Sequence, residues 1–108
     1  MMTLKAIKQN NGATLNDKGE AVSHKTGFQV SKCDIAVIPT YKLRKQTIEQ
    51  ILGLFVEEGE NLGIWIDGGK TYIDISERIS NRAHALKVGR DRKQISVWAW
   101  KKGEAVNC

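Results

Sequence analysis

Asp67 and Asp74 are the residues whose type and spacing come closest to a catalytic arrangement. Both are predicted on one face of a β-hairpin, and two carboxylates on one surface can act as general acid and general base. The same sequence gives each a simpler role, because Asp67 adjoins a turn opposite Lys70 and Asp74 is a polar strand residue. No third group that would orient a substrate is recognisable in the sequence. We therefore predict no catalytic residue and no enzymatic activity.

Metal and cofactor sites are not predicted either. Cys33 and Cys108 lie far apart in the chain and far from His24 and His84, whereas a structural zinc site needs about four clustered nitrogen or sulfur ligands. The glycines form neither a dinucleotide-binding nor a P-loop pattern. Cys33 is interpreted as a small buried apolar residue, the usual environment of a free cysteine.

Composition is typical of a globular domain. Of the 108 residues, 41% are hydrophobic and 27% are charged. We predict one α+β domain over residues 13–108, preceded by a polar arm at residues 1–12 that frays.

A cytoplasmic location is expected, with no membrane partner. No apolar run approaches the roughly 18–20 residues of a membrane span. The first residues lack the apolar core of a secretory signal.

The clearest structural signal is a hairpin at residues 62–76. Two alternating apolar and polar segments flank Gly68-Gly69, which can adopt the positive φ angles of a two-residue turn. This turn predicts four cross-strand pairs: Asp67 with Lys70, Ile66 with Thr71, Trp65 with Tyr72, and Ile64 with Ile73. One face then collects the isoleucines and the other collects Trp65, Asp67, Tyr72 and Asp74.

The remaining pattern predicts an α+β fold with a mostly antiparallel sheet built from hairpins and two helices, in the order β-β-β-α-β-β-α-β(-β). Helical periodicity covers residues 43–58 and 79–89. Strands are predicted at 13–15, 20–22, 27–30, 35–38 and 94–100, with a short last strand near 105–106 and a bend at residues 33–34.

Four aromatic residues are predicted to share one sheet face: Trp65, Tyr72, Trp98 and Trp100. If a helix or a second copy of the chain covers this face, they belong to a core or a homodimer interface. If the face is open, they form a surface suited to a partner, since Trp, Tyr and Arg dominate interface energetics.

Positive charge is concentrated at the C-terminal end. Residues 78–108 contain eight Lys and Arg but two Asp and Glu, whereas residues 1–77 contain nine and ten. The partner-binding candidates in this segment are Arg78, Arg82, Arg90, Arg92 and Lys93. The segment is either a solvated helix surface or an electrostatic patch for nucleic acid or an acidic protein.

The block GIWIDGGKTYIDIS (63–76), followed by AHALKVGR (83–90) and QISVW (94–98), resembles small accessory proteins of bacteriophages and other bacterial mobile elements. Those proteins share a G-x-W-x-D-x-G-K-x-Y-x-D hairpin, an A-x-x-L-G-R helix and an N-Q-x-x-[IV]-[WY] strand. Here Lys93-Gln94 takes the place of Asn-Gln, and the resemblance covers about residues 62–100. It implies an interaction protein, of a kind that includes inhibitors of host defence nucleases, and it carries over no catalytic residue.

Two functions follow as hypotheses. The first is a non-enzymatic interaction protein of a phage or mobile element that binds a host protein, such as a CRISPR nuclease, in the bacterial cytoplasm. The alternative is a nucleic-acid-binding module that uses the basic segment 78–102 and neighbouring aromatic rings. A steep loss of affinity with salt would favour the second.

Overall fold

The computed structural model describes residues 2–108, which form an α+β fold with an antiparallel six-stranded sheet. The predicted fold class and the predicted alternation of hairpins and helices are confirmed. The elements are α1 (Leu4–Gln9), β1 (Gly12–Leu15), β2 (Phe28–Pro39), α2 (Lys45–Phe55), β3 (Asn61–Asp67), β4 (Lys70–Ile79), α3 (Arg82–Asp91), β5 (Ser96–Ala99) and β6 (Glu104–Asn107), with a 3-10 turn at Thr40–Lys42. The strand order across the sheet is β1-β3-β4-β2-β5-β6.

The hairpin β3–β4 has the predicted register. All four predicted pairs are observed, including Trp65 opposite Tyr72 and Asp67 opposite Lys70. Gly68 and Gly69 have φ angles of 57° and 78°, the left-handed values that a primed two-residue turn requires. The alternation of side chains therefore places the isoleucines and the aromatic residues on opposite faces, as expected.

Strand β2 differs from its prediction. Residues 28–30 of the first predicted segment and the whole of 35–38 belong to one continuous strand, which pairs with β4 from Phe28 to Pro39. Register shifts between Ser31 and Cys33 and between Asp34 and Ala36 absorb the irregularity that the sequence indicated as a bend. Cys33 is exposed, so its interpretation as a buried residue was wrong.

One face of the sheet carries the hydrophobic core. The larger cluster packs α1 and α2 on the hairpin, and its buried members are Ile7, Leu15, Leu43, Ile48, Leu52, Leu62, Ile64, Ile73 and Ile75. A smaller cluster lies beneath α3 and is centred on Val30, Ala85 and Val97. The isoleucine face is thus the inner face, as the alternation predicted.

The N-terminal segment is more ordered than predicted. Residues 4–9 form α1, and the side chain of Ile7 is completely buried in the larger cluster. Thr3 caps this helix, since its hydroxyl accepts a hydrogen bond from the Ala6 backbone N–H at 3.1 Å. Met1 of the predicted arm lies outside the described residues.

The two predicted helices are both present with shifted ends. α3 begins at Arg82, because Ile79 still belongs to β4, where it pairs with Phe28. The Asn81 side chain caps the helix by accepting a hydrogen bond from the His84 N–H at 2.9 Å. Across residues 2–108, no helix combines the length and apolar character needed to cross a membrane.

Candidate functional site: the open face of the sheet

The four predicted aromatic residues line a concave groove on the sheet face that the core does not use. The groove has a volume of about 1270 Å³. Trp65 is 65% exposed, Tyr72 and Trp98 are each 42% exposed, and Trp100 is half-buried. The prediction that they share a face is confirmed, and within residues 2–108 no helix covers them. We call this surface the open face.

The aromatic residues form two separate walls. Trp65 and Tyr72 are direct cross-strand neighbours whose ring centroids lie 6.3 Å apart at an angle of 48°. Trp98, on β5, lies opposite Gln29 of β2. Trp100 follows β5 and meets the ring of His24 edge-on at 5.5 Å.

A buried polar network forms part of the floor between these walls. Gln29 is only 7% exposed, and its Nε2 donates to Asn61 Oδ1 at 2.7 Å and to Ser76 Oγ at 2.9 Å. Its Oε1 accepts from Trp100 Nε1 at 3.1 Å. One amide therefore joins β2, β3 and β4 and fixes the indole of Trp100.

Two carboxylates face each other on the next part of the floor. Asp34 of β2 lies directly opposite Asp74 of β4, and both line the groove. Asp74 leans over Gly63, because a Cβ at that glycine would collide with Asp74 Oδ1. Burial raises the pKa of Asp74 and the charge of Asp34 raises it further, while the neighbouring Ser31 hydroxyl opposes the rise. The groove thus keeps a carboxylate whose ionised form is disfavoured by its surroundings.

We expect Asp74→Asn to stabilise the protein at neutral pH. A raised pKa in the folded state means that stability is lost as pH rises from the ordinary value of 3.8 through the folded-state pKa. Asparagine does not titrate and removes the like-charge pair, so the gain should be about 0.2–1 kcal/mol, the range for directly opposed side chains. Urea unfolding at pH 7 and at pH 3 measures the difference, which should disappear at pH 3, below the ordinary pKa of Asp74, where that carboxyl is protonated.

Asp17→Asn is the matched control for this measurement, because it removes one carboxylate from an exposed turn outside the groove. It should leave the pH 7 stability nearly unchanged. If the Asp74→Asn variant is no more stable than the parent at pH 7, the surroundings of Asp74 do not disfavour its ionised form.

Asp67 and Asp74, which the sequence placed on one face of the hairpin, are not direct cross-strand neighbours. Both line the groove, but Asp67 lies at the end of β3 opposite Lys70, beside the turn. The direct neighbour of Asp74 is instead Asp34, which the sequence did not single out.

The predicted basic residues do not converge on the groove. Arg78 is anchored to Thr26, donating to its carbonyl at 3.0 Å and its hydroxyl at 3.1 Å. Arg92 lies on the core side, where it pairs with Glu77 at 3.2 Å and donates to the Ser31 carbonyl. Only Lys93 of the five lines the groove. Arg82 and Arg90 are exposed on α3.

Sequence reasoning missed the polar floor, namely Gln29, Asn61, Ser76, Asp34 and Gly63. The available signal was the presence of Gln29 between the apolar residues Phe28 and Val30 in a predicted strand. The burial of Gln29 and Ser76 depends on strand pairings across 32 and 47 residues, which local patterns do not contain.

Within residues 2–108, no three His, Cys, Asp or Glu side chains cluster closely enough to hold a metal ion. Comparison of the chain with protein-family models, curated proteins and solved structures found no match.

Proposed function

We propose that this chain is a non-enzymatic interaction protein that binds another protein on the open face of its sheet. The observation that carries the proposal is the exposure of Trp65, Tyr72 and Trp98 in one concave groove, while the core is built on the opposite side of the sheet. Small monomers rarely expose a large contiguous apolar patch unless it is used.

The composition of the groove supports a protein ligand. Trp and Tyr provide large contact areas with few rotatable bonds, which makes them frequent hot spots of protein interfaces. The buried amide of Gln29 holds Trp100 in a fixed orientation, so part of this surface is ordered before a partner arrives. A broad, open surface of this kind favours recognition over catalysis.

Electrostatics favour a protein partner over nucleic acid in the groove. The charged residues that line it are three aspartates and one lysine. The excess of carboxylates would repel the phosphates of a nucleic acid. Arg78 and Arg92, two of the basic residues expected to contact nucleic acid, are bound to other groups of the chain. Arg78 donates to the Thr26 carbonyl and Arg92 forms a salt bridge with Glu77. The nucleic-acid alternative keeps the exposed Arg82 and Arg90 on α3, together with the exposed Lys93, Lys101 and Lys102.

The resemblance of residues 62–100 to accessory proteins of phages and mobile elements supports a partner from the bacterial host. On this proposal the protein acts in the host cytoplasm, and an inhibitor of a defence nuclease such as a CRISPR nuclease is the role that the resemblance favours.

Truncation of the exposed aromatic residues should abolish partner capture without unfolding the protein. We expect Trp65→Ala and Trp98→Ala each to weaken partner binding at least about tenfold, the effect of removing an interface hot spot. Stability should change by about 1 kcal/mol or less, the size of a cross-strand pair contribution. The measurement is affinity capture from bacterial lysate, with and without nuclease treatment, read by mass spectrometry and followed by titration of the captured protein and thermal melting of each variant.

Tyr41→Ala is the matched control, because Tyr41 is 71% exposed but lies outside the groove. It should capture the same partner as the parent chain. Capture that survives both tryptophan variants would refute the proposal. Capture that disappears with nuclease treatment and with Arg82→Glu/Arg90→Glu would favour the nucleic-acid alternative. A dimer that Trp98→Ala converts into a folded monomer would assign the open face to a second copy of the chain.

A further inference from the structure

The charge of the open face is opposite to that of the whole chain. The formal net charge is +5, yet Asp34, Asp67 and Asp74 line the groove against Lys93 alone. Among residues 2–108, neither Asp34 nor Asp74 takes part in a salt bridge. The facing carboxylates of Asp34 and Asp74 therefore lack a cationic partner within these residues, although the chain has an excess of lysine and arginine.

An aromatic pair borders these carboxylates. Trp65 and Tyr72 occupy the cross-strand pair two residues along from Gly63 and Asp74, on the same face of β3 and β4. Same-face neighbours on a strand are separated by about 7 Å. Gly63 contributes no side chain, and the carboxylate of Asp74 leans into the space that a Cβ there would occupy.

This juxtaposition suits a basic side chain. A guanidinium or ammonium group is attracted to an aromatic face within about 6 Å of its centroid and to a carboxylate at hydrogen-bond distance. We infer that the groove receives a lysine or arginine side chain of the partner protein, held between the Asp34–Asp74 pair and the Trp65–Tyr72 rings. This inference rests on the proposed function, which it deepens by naming the chemistry of the ligand.

The neighbouring strand edge indicates how the partner would present that side chain. β5 pairs with β2 only at Phe28 and Gln29, so from Lys32 to Pro39 the one strand paired with β2 in residues 2–108 is β4. An unpaired edge offers backbone groups to an added extended segment. Asp34 and the half-exposed Val37 lie on this stretch. An extended segment beside it would bring alternate side chains over the floor of the groove.

The test uses N-acetyl-arginine amide as the probe and N-acetyl-citrulline amide as its uncharged isostere, in ¹⁵N-NMR titrations of the folded chain at low salt. We expect the arginine compound to shift the Trp65 indole N–H and the Gly63 and Asp74 amides. Citrulline should bind at least about tenfold more weakly, since it lacks the charge on which salt-bridge and cation–π attraction depend.

Asp34→Asn/Asp74→Asn should reduce arginine binding to the level of citrulline, and the control Asp17→Asn/Glu57→Gln, which removes two exposed carboxylates outside the groove, should not. Equal binding of the two compounds, or unchanged arginine binding by the groove double variant, would overturn the inference. If that happens while Trp65→Ala still abolishes partner capture, the proposed function stands and only the basic ligand is wrong. If arginine binds as expected but capture survives both tryptophan variants, the proposed function is wrong.

Discussion

Gln29→Ala should lower the free energy of unfolding by about 2–3 kcal/mol, because truncation leaves several groups without the partner that a buried amide supplied. The side chain donates to Asn61 and Ser76 and accepts from the Trp100 indole, and it is only 7% exposed. On an open face, water can replace Gln29 as the hydrogen-bond partner of some of these groups. The expected loss of stability is therefore smaller than the sum for three groups left without any partner. Urea unfolding monitored by tryptophan fluorescence measures the free energy of unfolding. The emission of the folded variant also reports the changed surroundings of the Trp100 indole.

Gln46→Ala is the control for this change. Gln46 is exposed on α2, so the substitution removes the same atoms without breaking a buried network. Its midpoint should remain close to that of the parent chain. If Gln29→Ala and Gln46→Ala unfold at the same urea concentration, the network contributes nothing to stability. The open face would then lack the internal support assigned to it.

The hairpin and the aromatic face could be predicted because their determinants are local. Two glycines specify a two-residue turn, and that turn fixes every pair from Asp67–Lys70 to Ile64–Ile73. Side chains alternate along strands, so Trp65 and Tyr72 had to share a face. No knowledge of the rest of the fold was needed for this part of the site.

The facing carboxylates of Asp34 and Asp74 on the floor of the groove could not be predicted, because β2 is irregular. Register shifts after Ser31 and after Asp34 change which side chains face the groove, and counting alternate residues fails across each shift. This is why Asp34 was not recognised as the partner of Asp74, whereas Cys33 was expected inside only from the usual burial of free cysteines and is exposed. Register shifts of this kind depend on the opposing strand, which is 40 residues away in sequence for this pair.

The N-terminal helix and the basic segment show a second limit. Ile7 belongs to a short segment that Lys5, Lys8 and Gln9 make largely polar, and the long-range cluster formed with α2 and the hairpin explains its burial. A count of arginines likewise contains no information on their partners. Arg92 is held by Glu77 on the core side, whereas Arg82 is exposed in the first turn of α3.

The turn between β3 and β4 is where fold and site are most tightly connected. It sets the register that places Trp65 opposite Tyr72, and the Gly69 carbonyl accepts a hydrogen bond from the Thr40 N–H at 2.8 Å, which ties the turn to the end of β2. A change of backbone conformation here therefore affects three strands of the groove.

Gly69→Val should destabilise the protein by about 1–3 kcal/mol, since a β-branched residue is strained at positive φ. The φ of Gly69 is 78°, and a Cβ there would meet no atom within 4 Å, so backbone strain accounts for the expected loss. Gly69→Asn is the control, because asparagine tolerates the left-handed region and should lose considerably less. Urea midpoints of the two variants make the comparison, and equal midpoints would count against the primed turn.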